Sequence, residues 1–108
     1  MDFSIDLKRI ASINEIDDKT LVERTLKLSE ECGEVAEAVL SSEAAPGCAY
    51  KGKTKEDIAE ECMDVIIMAT STLIHALSPG GTMDKIERTM AELLEKKLTK
   101  WETNCKEN

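Results

Sequence analysis

The sequence predicts an all-α fold, a helical bundle of three long helices and one short N-terminal helix. Three observations carry this. Aromatic residues make up only 3% of the 108 residues, fewer than a β-sandwich or barrel normally wants. Ala, Leu, Glu and Lys, all strong helix formers, are frequent throughout. Apolar residues recur at helical spacing in four segments, separated by short polar, Pro- or Gly-containing stretches. A hydrophobic content of 42% permits a packed core, and the length suits one domain spanning residues 1–108.

The first helix is expected over residues 3 to 14, on the spacing of Phe3, Leu7, Ile10 and either Ala11 or Ile13, with a turn from Asn14 to Asp18. Thr20 and Glu23 form a capping-box pattern, opening a second helix from Leu21 to Ser42. Leu21, Leu28, Cys32, Val35 and Val39 make its apolar stripe, widened by Val22, Leu26, Ala36 and Leu40. Gly33, inside this helix, either admits a close neighbour or is simply tolerated. Residues 43 to 53 contain Pro46, Gly47 and Gly52 and form the main loop, carrying Tyr50, Lys51 and Lys53. That loop reads first as a solvated connection with Tyr50 packed on the helices, and second as a reach toward an anionic or aromatic ligand.

Thr54 and Asp57 repeat the cap pattern ahead of a third helix that runs to about Leu77. Ile58, Cys62, Val65, Ala69 and Leu73 form its core stripe, while Ile66, Ile67 and Met68 cover other faces. A helix apolar nearly all round is expected to be buried on more than one side, which in so small a chain implies a subunit interface. Ser78-Pro79-Gly80-Gly81 ends it. The fourth helix starts near Thr82 and reaches about Asn104, with Ile86, Met90, Leu93, Leu94, Leu98 and Trp101 in helical register.

A net charge of -8 with no basic stripe argues against a nucleic-acid partner. The longest apolar run, Val65 to Ala69, falls far short of the roughly 20 residues that cross a bilayer. The start, Met1 to Asp6, lacks the basic and apolar regions of a secretory signal, so a cytoplasmic location is expected. Cys32, Cys48, Cys62 and Cys105 form no CxxC pair and read as small buried side chains, not disulfides; Cys32, Cys48 and Cys62 with His75 make a poor zinc set. His75 has Thr72 three residues before it, so the Glu-x-x-His motif of a di-iron bundle is missing.

Acidic residues concentrate in two clusters, Glu30, Glu31, Glu34 and Glu37, then Glu56, Asp57, Glu60, Glu61 and Asp64. Glu30, Glu37, Glu56, Asp57 and Glu60 read first as surface acids, the first-turn Glu56 and Asp57 being favoured by the helix dipole. Glu31, Glu34, Glu61 and Asp64 differ. After Lys27 the next Lys or Arg is Lys51, none occurs from Asp57 through Asp84, and Asp64 opens the most apolar run, where an unpaired carboxylate against buried surface needs a proton or a cation. Glu31/Glu34 and Glu61/Asp64 are each one helical turn apart on one face. If the two helices pack antiparallel, the four carboxylates converge, and such a hard oxygen set selects Mg²⁺ or Mn²⁺.

Lys27-Leu28-Ser29-Glu30-Glu31-Cys32-Gly33-Glu34-Val35-Ala36-Glu37-Ala38-Val39 and Glu60-Glu61-Cys62-Met63-Asp64-Val65-Ile66 resemble the EExxE…ExxD signature of the MazG-like all-α nucleoside triphosphate pyrophosphohydrolases. Lys97 to Glu102 is similar to the ending of small MazG-like chains. The resemblance covers roughly residues 20 to 101, and its specific part is the two acidic segments. It implies Mg²⁺-dependent hydrolysis of (d)NTPs between the α and β phosphates, to a nucleoside monophosphate and pyrophosphate. It implies a house-cleaning role for the nucleotide pool, and a homodimer or homotetramer built on a four-helix core. By position, Glu31, Glu34, Glu61 and Asp64 would be the metal ligands. Glu30, pointing away from Glu31, would orient or deprotonate water. Lys51, Lys53, Lys97 and Lys100 are the candidates for steadying phosphate, though no motif singles them out. A phosphoribosyl-ATP pyrophosphatase-like enzyme fits the same metal logic. A non-catalytic acidic helical regulatory module is the alternative of another class, and a metal buffer is disfavoured because there is no EF-hand loop.

Overall fold

Asp6 opens the first helix, its carboxylate accepting from the Arg9 N–H at 3.0 Å. The computed structural model describes residues 6–107. Helix α1 spans Leu7–Ile16, α2 Leu21–Ser42, α3 Lys55–Leu77 and α4 Met83–Glu107, with a 3₁₀ turn at Ala49–Lys51 and no strand among the described residues. The all-α expectation therefore holds. Two compact units divide the chain, Met1–Ala76 and Leu77–Asn108.

In the first unit, α1 starts later and ends later than its apolar spacing suggested; Phe3 lies outside the described residues. Asn14 is helical instead of opening a turn. The reason is tertiary: its amide donates to the Ser71 carbonyl at 3.0 Å, so it does not compete for its own backbone. Leu7, Ile10, Ala11 and Asn14 form the half-buried face, while Ile13 is 52% exposed, which decides the Ala11/Ile13 alternative for Ala11.

Helix α2 opens on a complete capping box. Thr20 Oγ1 accepts from the Glu23 N–H at 3.1 Å, and Glu23 Oε1 accepts from the Thr20 N–H at 2.9 Å. These bonds to the ionised form hold Glu23 below the ordinary glutamate range, the bond from the Thr20 backbone first. The helix ends with Ala44 at φ 56° and the Ala45 N–H donating to the Leu40 carbonyl at 2.9 Å, a left-handed closure normally taken by glycine. Gly52 at φ 61° closes the 3₁₀ turn in the same conformation. Helix α3 opens on Thr54 and Asp57, whose side chain accepts from the Thr54 N–H at 2.8 Å. That bond leads the causes that hold Asp57 low.

Helices α2 and α3 pair antiparallel. Arg24 meets Ser71, Glu31 stands by Glu61 and Asp64, and Ser41 accepts from the Lys53 N–H at 3.0 Å. The inward face of α2 is Arg24, Leu28, Glu31, Val35, Ala38 and Ser41, all half-buried or buried. This corrects the expected stripe: Leu21, Val22, Leu26, Cys32, Val39 and Leu40 are exposed. A seam between two helices covers one narrow strip of each, so a wide apolar stripe cannot all be covered by one neighbour. On α3 the expected Ile58, Cys62, Val65, Ala69 and Leu73 are half-buried, whereas Met63 and Ile67 are exposed.

The seam is unusually polar at its Arg24 end. Arg24 is 1% exposed. Its Nη1 donates to Asn14 Oδ1 at 3.0 Å and to Ser71 Oγ at 3.1 Å, and its Nη2 donates to the Asp17 carbonyl at 2.7 Å. Ser71 Oγ in turn donates to Asn14 Oδ1 at 2.6 Å. One buried guanidinium thereby ties α1, the turn after it, α2 and α3 together.

In the second unit, Ser78 to Gly81 forms a turn in which the Gly81 N–H donates to the Ser78 carbonyl at 3.0 Å. A Cβ on Gly81 would meet the Leu77 carbonyl oxygen at 2.4 Å, so only glycine fits. Helix α4 buries Ile86 and leaves Leu93, Leu94, Leu98 and Trp101 exposed.

Candidate metal centre

The antiparallel register sets the second turn of α3 against the middle of α2. Glu31, Glu61 and Asp64 each bring a carboxylate oxygen to within 4.8 Å of the others'. Among the described residues this is the one group of three or more His, Cys, Asp or Glu side chains close enough to hold an ion together. Cys32, Cys48, Cys62 and His75 take no part in such a group, and the cysteines are not all buried as expected: Cys32 and Cys105 are exposed, Cys48 and Cys62 half-buried. Glu31 and Glu61 are half-buried and Asp64 is exposed, so Asp64 does not stand against buried surface as its place before the apolar run suggested. A residue directly before that run can still face out, because α3 rotates by about 100° per residue and Asp64 falls on the edge of the seam.

Glu61 is the electrostatic focus. Burial, then the charges of Asp64, Glu34 and Glu31, push its carboxyl above the ordinary glutamate range. Lys53 acts the other way on the same carboxyl. Three carboxylates held together without an equal positive charge favour taking up a proton or a cation. The donor set is all oxygen and all anionic, which fits Mg²⁺ or Mn²⁺ and disfavours a soft metal.

Glu34 is exposed on the same edge of α2, one turn past Glu31. It lies outside the 4.8 Å group, although Glu61 feels its charge. Glu30 and Glu31 are not free of bases. Lys27 reaches along the helix to Glu31 Oε1 at 3.3 Å and Glu30 Oε1 at 3.4 Å. Spacing of three and four residues puts these side chains together regardless of the wider chain. The hydrogen bond to Glu31 leads the causes that raise the Lys27 pKa. Glu30, with its side chain 62% exposed, is engaged with Lys27 and not with the triad.

The other basic candidates separate. Lys53 is half-buried and near enough to Glu61 to act on it. Lys51 pairs with Glu37 and stands 5.9 Å from the Tyr50 ring centroid, so Glu37 is not an unpaired acid; Tyr50 itself is 81% exposed and does not pack on the helices as expected. Lys97 and Lys100 are exposed on α4, in the second unit.

Beside the acidic edge lies an apolar groove of about 360 Å³, lined by Cys32, Val35, Cys62, Val65 and Ile66. One residue of helical rotation, about 100°, separates Cys32 from Glu31 and Cys62 from Glu61, so the helix pair has an acidic side and an apolar side. Gly33 meets nothing within 4 Å among the described residues, so none of them requires a glycine there. Two features escaped sequence reasoning. Arg24 stands four residues before Leu28 and eleven before Val35, in register with the buried face, which was the available signal. Lys27 was visible as the residue four before Glu31.

No family model matches the chain, and no curated protein and no solved structure matches it.

Proposed function

We propose that this chain is a Mg²⁺-dependent nucleotide pyrophosphohydrolase that cleaves (d)NTPs between the α and β phosphates. The observation that carries the reading is the convergence of Glu31, Glu61 and Asp64 within 4.8 Å, from two helices that bear the MazG-like acidic spacing. Glu31, Glu61 and Asp64 would hold the ion, with Glu34 one turn away to complete the set. When bound, the ion supplies charge neutralisation for the phosphates and acidifies a coordinated water.

The chain's own residues do the rest. The antiparallel seam preorganises carboxylates that otherwise repel one another, at a position set by the Arg24 network at one end and the Ser41–Lys53 bond at the other. Lys53, the candidate cation that acts on Glu61, is suited to a distal phosphate. The exposed apolar residues Leu21, Val22, Leu26, Val39 and Ile67 support assembly into a homodimer or homotetramer.

A panel of ribo- and deoxyribonucleoside triphosphates, with the products identified, tests the reaction. Nucleoside monophosphate plus pyrophosphate is expected with Mg²⁺ or Mn²⁺, and Glu34→Gln should lower the rate. If no nucleotide is cleaved with either metal, the enzyme reading is lost.

A further inference from the structure

We infer that Lys27 is the resident counter-ion of the acidic site, and that it exchanges Glu31 for a substrate phosphate when a divalent ion enters. The inference rests on the metal-site reading and adds a residue that the family signature does not single out.

Lys27 makes the only ion pair to a triad carboxylate among the described residues. Its ammonium lies 3.3 Å from Glu31 Oε1, on the acidic edge that also carries Glu34 one helical turn beyond Glu31. Its side chain is 38% exposed, so it can swing without breaking packing. Glu31 is 13% exposed, so its carboxylate has little water to replace the lysine. Without a divalent ion, Lys27 supplies part of the positive charge that the triad lacks. A divalent ion on Glu31, Glu61 and Asp64 takes over that carboxylate, and like charges then repel the ammonium. The nearest alternative partners are Glu30, already 3.4 Å away, and any phosphate oxygen brought in with the ion. A phosphate with several charges near the site is the stronger partner for an ammonium. Lys27 thus opposes the bare ion and favours the ion with its polyphosphate, which selects the substrate complex over free metal.

Two binding measurements with opposite expected signs test this. Mn²⁺ alone is titrated by calorimetry or by electron paramagnetic resonance, and inorganic tripolyphosphate is titrated with Mg²⁺ saturating. Lys27→Gln keeps helix propensity and removes the charge. It should bind Mn²⁺ alone about threefold or more tighter, as a like charge is lost. It should bind Mg²⁺–tripolyphosphate about tenfold weaker, as a charge-assisted bond is lost. Lys27→Arg should restore both, and Lys27→Met should reproduce both if Gln perturbs the fold. A variant that changes neither affinity overturns the inference and leaves the metal site standing. A variant that weakens both shows that Lys27 merely orients Glu31, which also overturns it. If the unmodified chain binds no Mn²⁺, the metal-site reading fails and the inference with it.

Discussion

Replacing Arg24 tests the network on which the site's geometry depends. Arg24→Met keeps the aliphatic stem and removes the guanidinium. Three hydrogen bonds are lost, to Asn14 Oδ1, Ser71 Oγ and the Asp17 carbonyl. Bonds to a charged group contribute roughly 1.5–3 kcal/mol each, about 4.5–9 kcal/mol in total. Against this, the mutant no longer buries an ion, which relieves several kcal/mol. Asn14 and Ser71 still bond each other, so the Asp17 carbonyl is the acceptor left short. The net expectation is a loss of about 2–4 kcal/mol, with α1 loosened first. Urea unfolding should show the midpoint falling at an unchanged m-value. Hydrogen exchange should show amides of Leu7–Ile16 losing protection ahead of those in α2 and α3. Combined with Asn14→Ala, the two losses should be less than additive, because they share bonds; a coupling of about 0.5 kcal/mol or more is expected. A loss under about 0.5 kcal/mol for Arg24→Met, or strict additivity with Asn14→Ala, would refute the clamp.

Three further outcomes follow from the same geometry. Glu61→Gln removes the carboxylate that burial and three acidic neighbours hold protonated more readily; in chelator the variant should melt no lower than the unmodified chain at pH 7, while its Mn²⁺ affinity should fall by about tenfold or more, as titrated by calorimetry. Glu23 has a depressed pKa, so its contribution is present above the ordinary glutamate range and is lost as pH falls through the folded value; Glu23→Gln should flatten that part of a urea stability profile taken from neutral to acid. Two residues stand in each other's preferred places: Gly33→Ala, with nothing within 4 Å, should stabilise by roughly 0.5–1 kcal/mol, and Ala44→Gly, at φ 56°, by a similar amount. Thermal melting checks both, and a destabilised Gly33→Ala would mean that another molecule approaches that glycine.

Much of the fold was legible because its signals are local. Thr20 with Glu23 and Thr54 with Asp57 marked the starts of α2 and α3, and Gly80-Gly81 marked the turn before α4. α1 was less legible, because its end depends on Asn14 finding Ser71, far along the chain. The inward face of α2 is not legible in its apolar spacing either. Apolar spacing cannot say which side of a broad stripe a single neighbour will cover, and here the covered strip runs through Arg24 and Glu31 while Cys32 and Val39 face out.

The sequence by itself determined that the chain is helical, where its long helices lie, and which acidic pairs share a helix face. Those properties depend on capping, propensity and periodicity within a few residues. Tertiary structure decided which carboxylates meet. The antiparallel register brings Glu31 to Glu61 and Asp64, leaves Glu34 at the edge and buries Arg24 between three helices. Register between helices is set by side chains far apart in the chain, so the local spacing that pairs Lys27 with Glu31 could not show that the site is a triad.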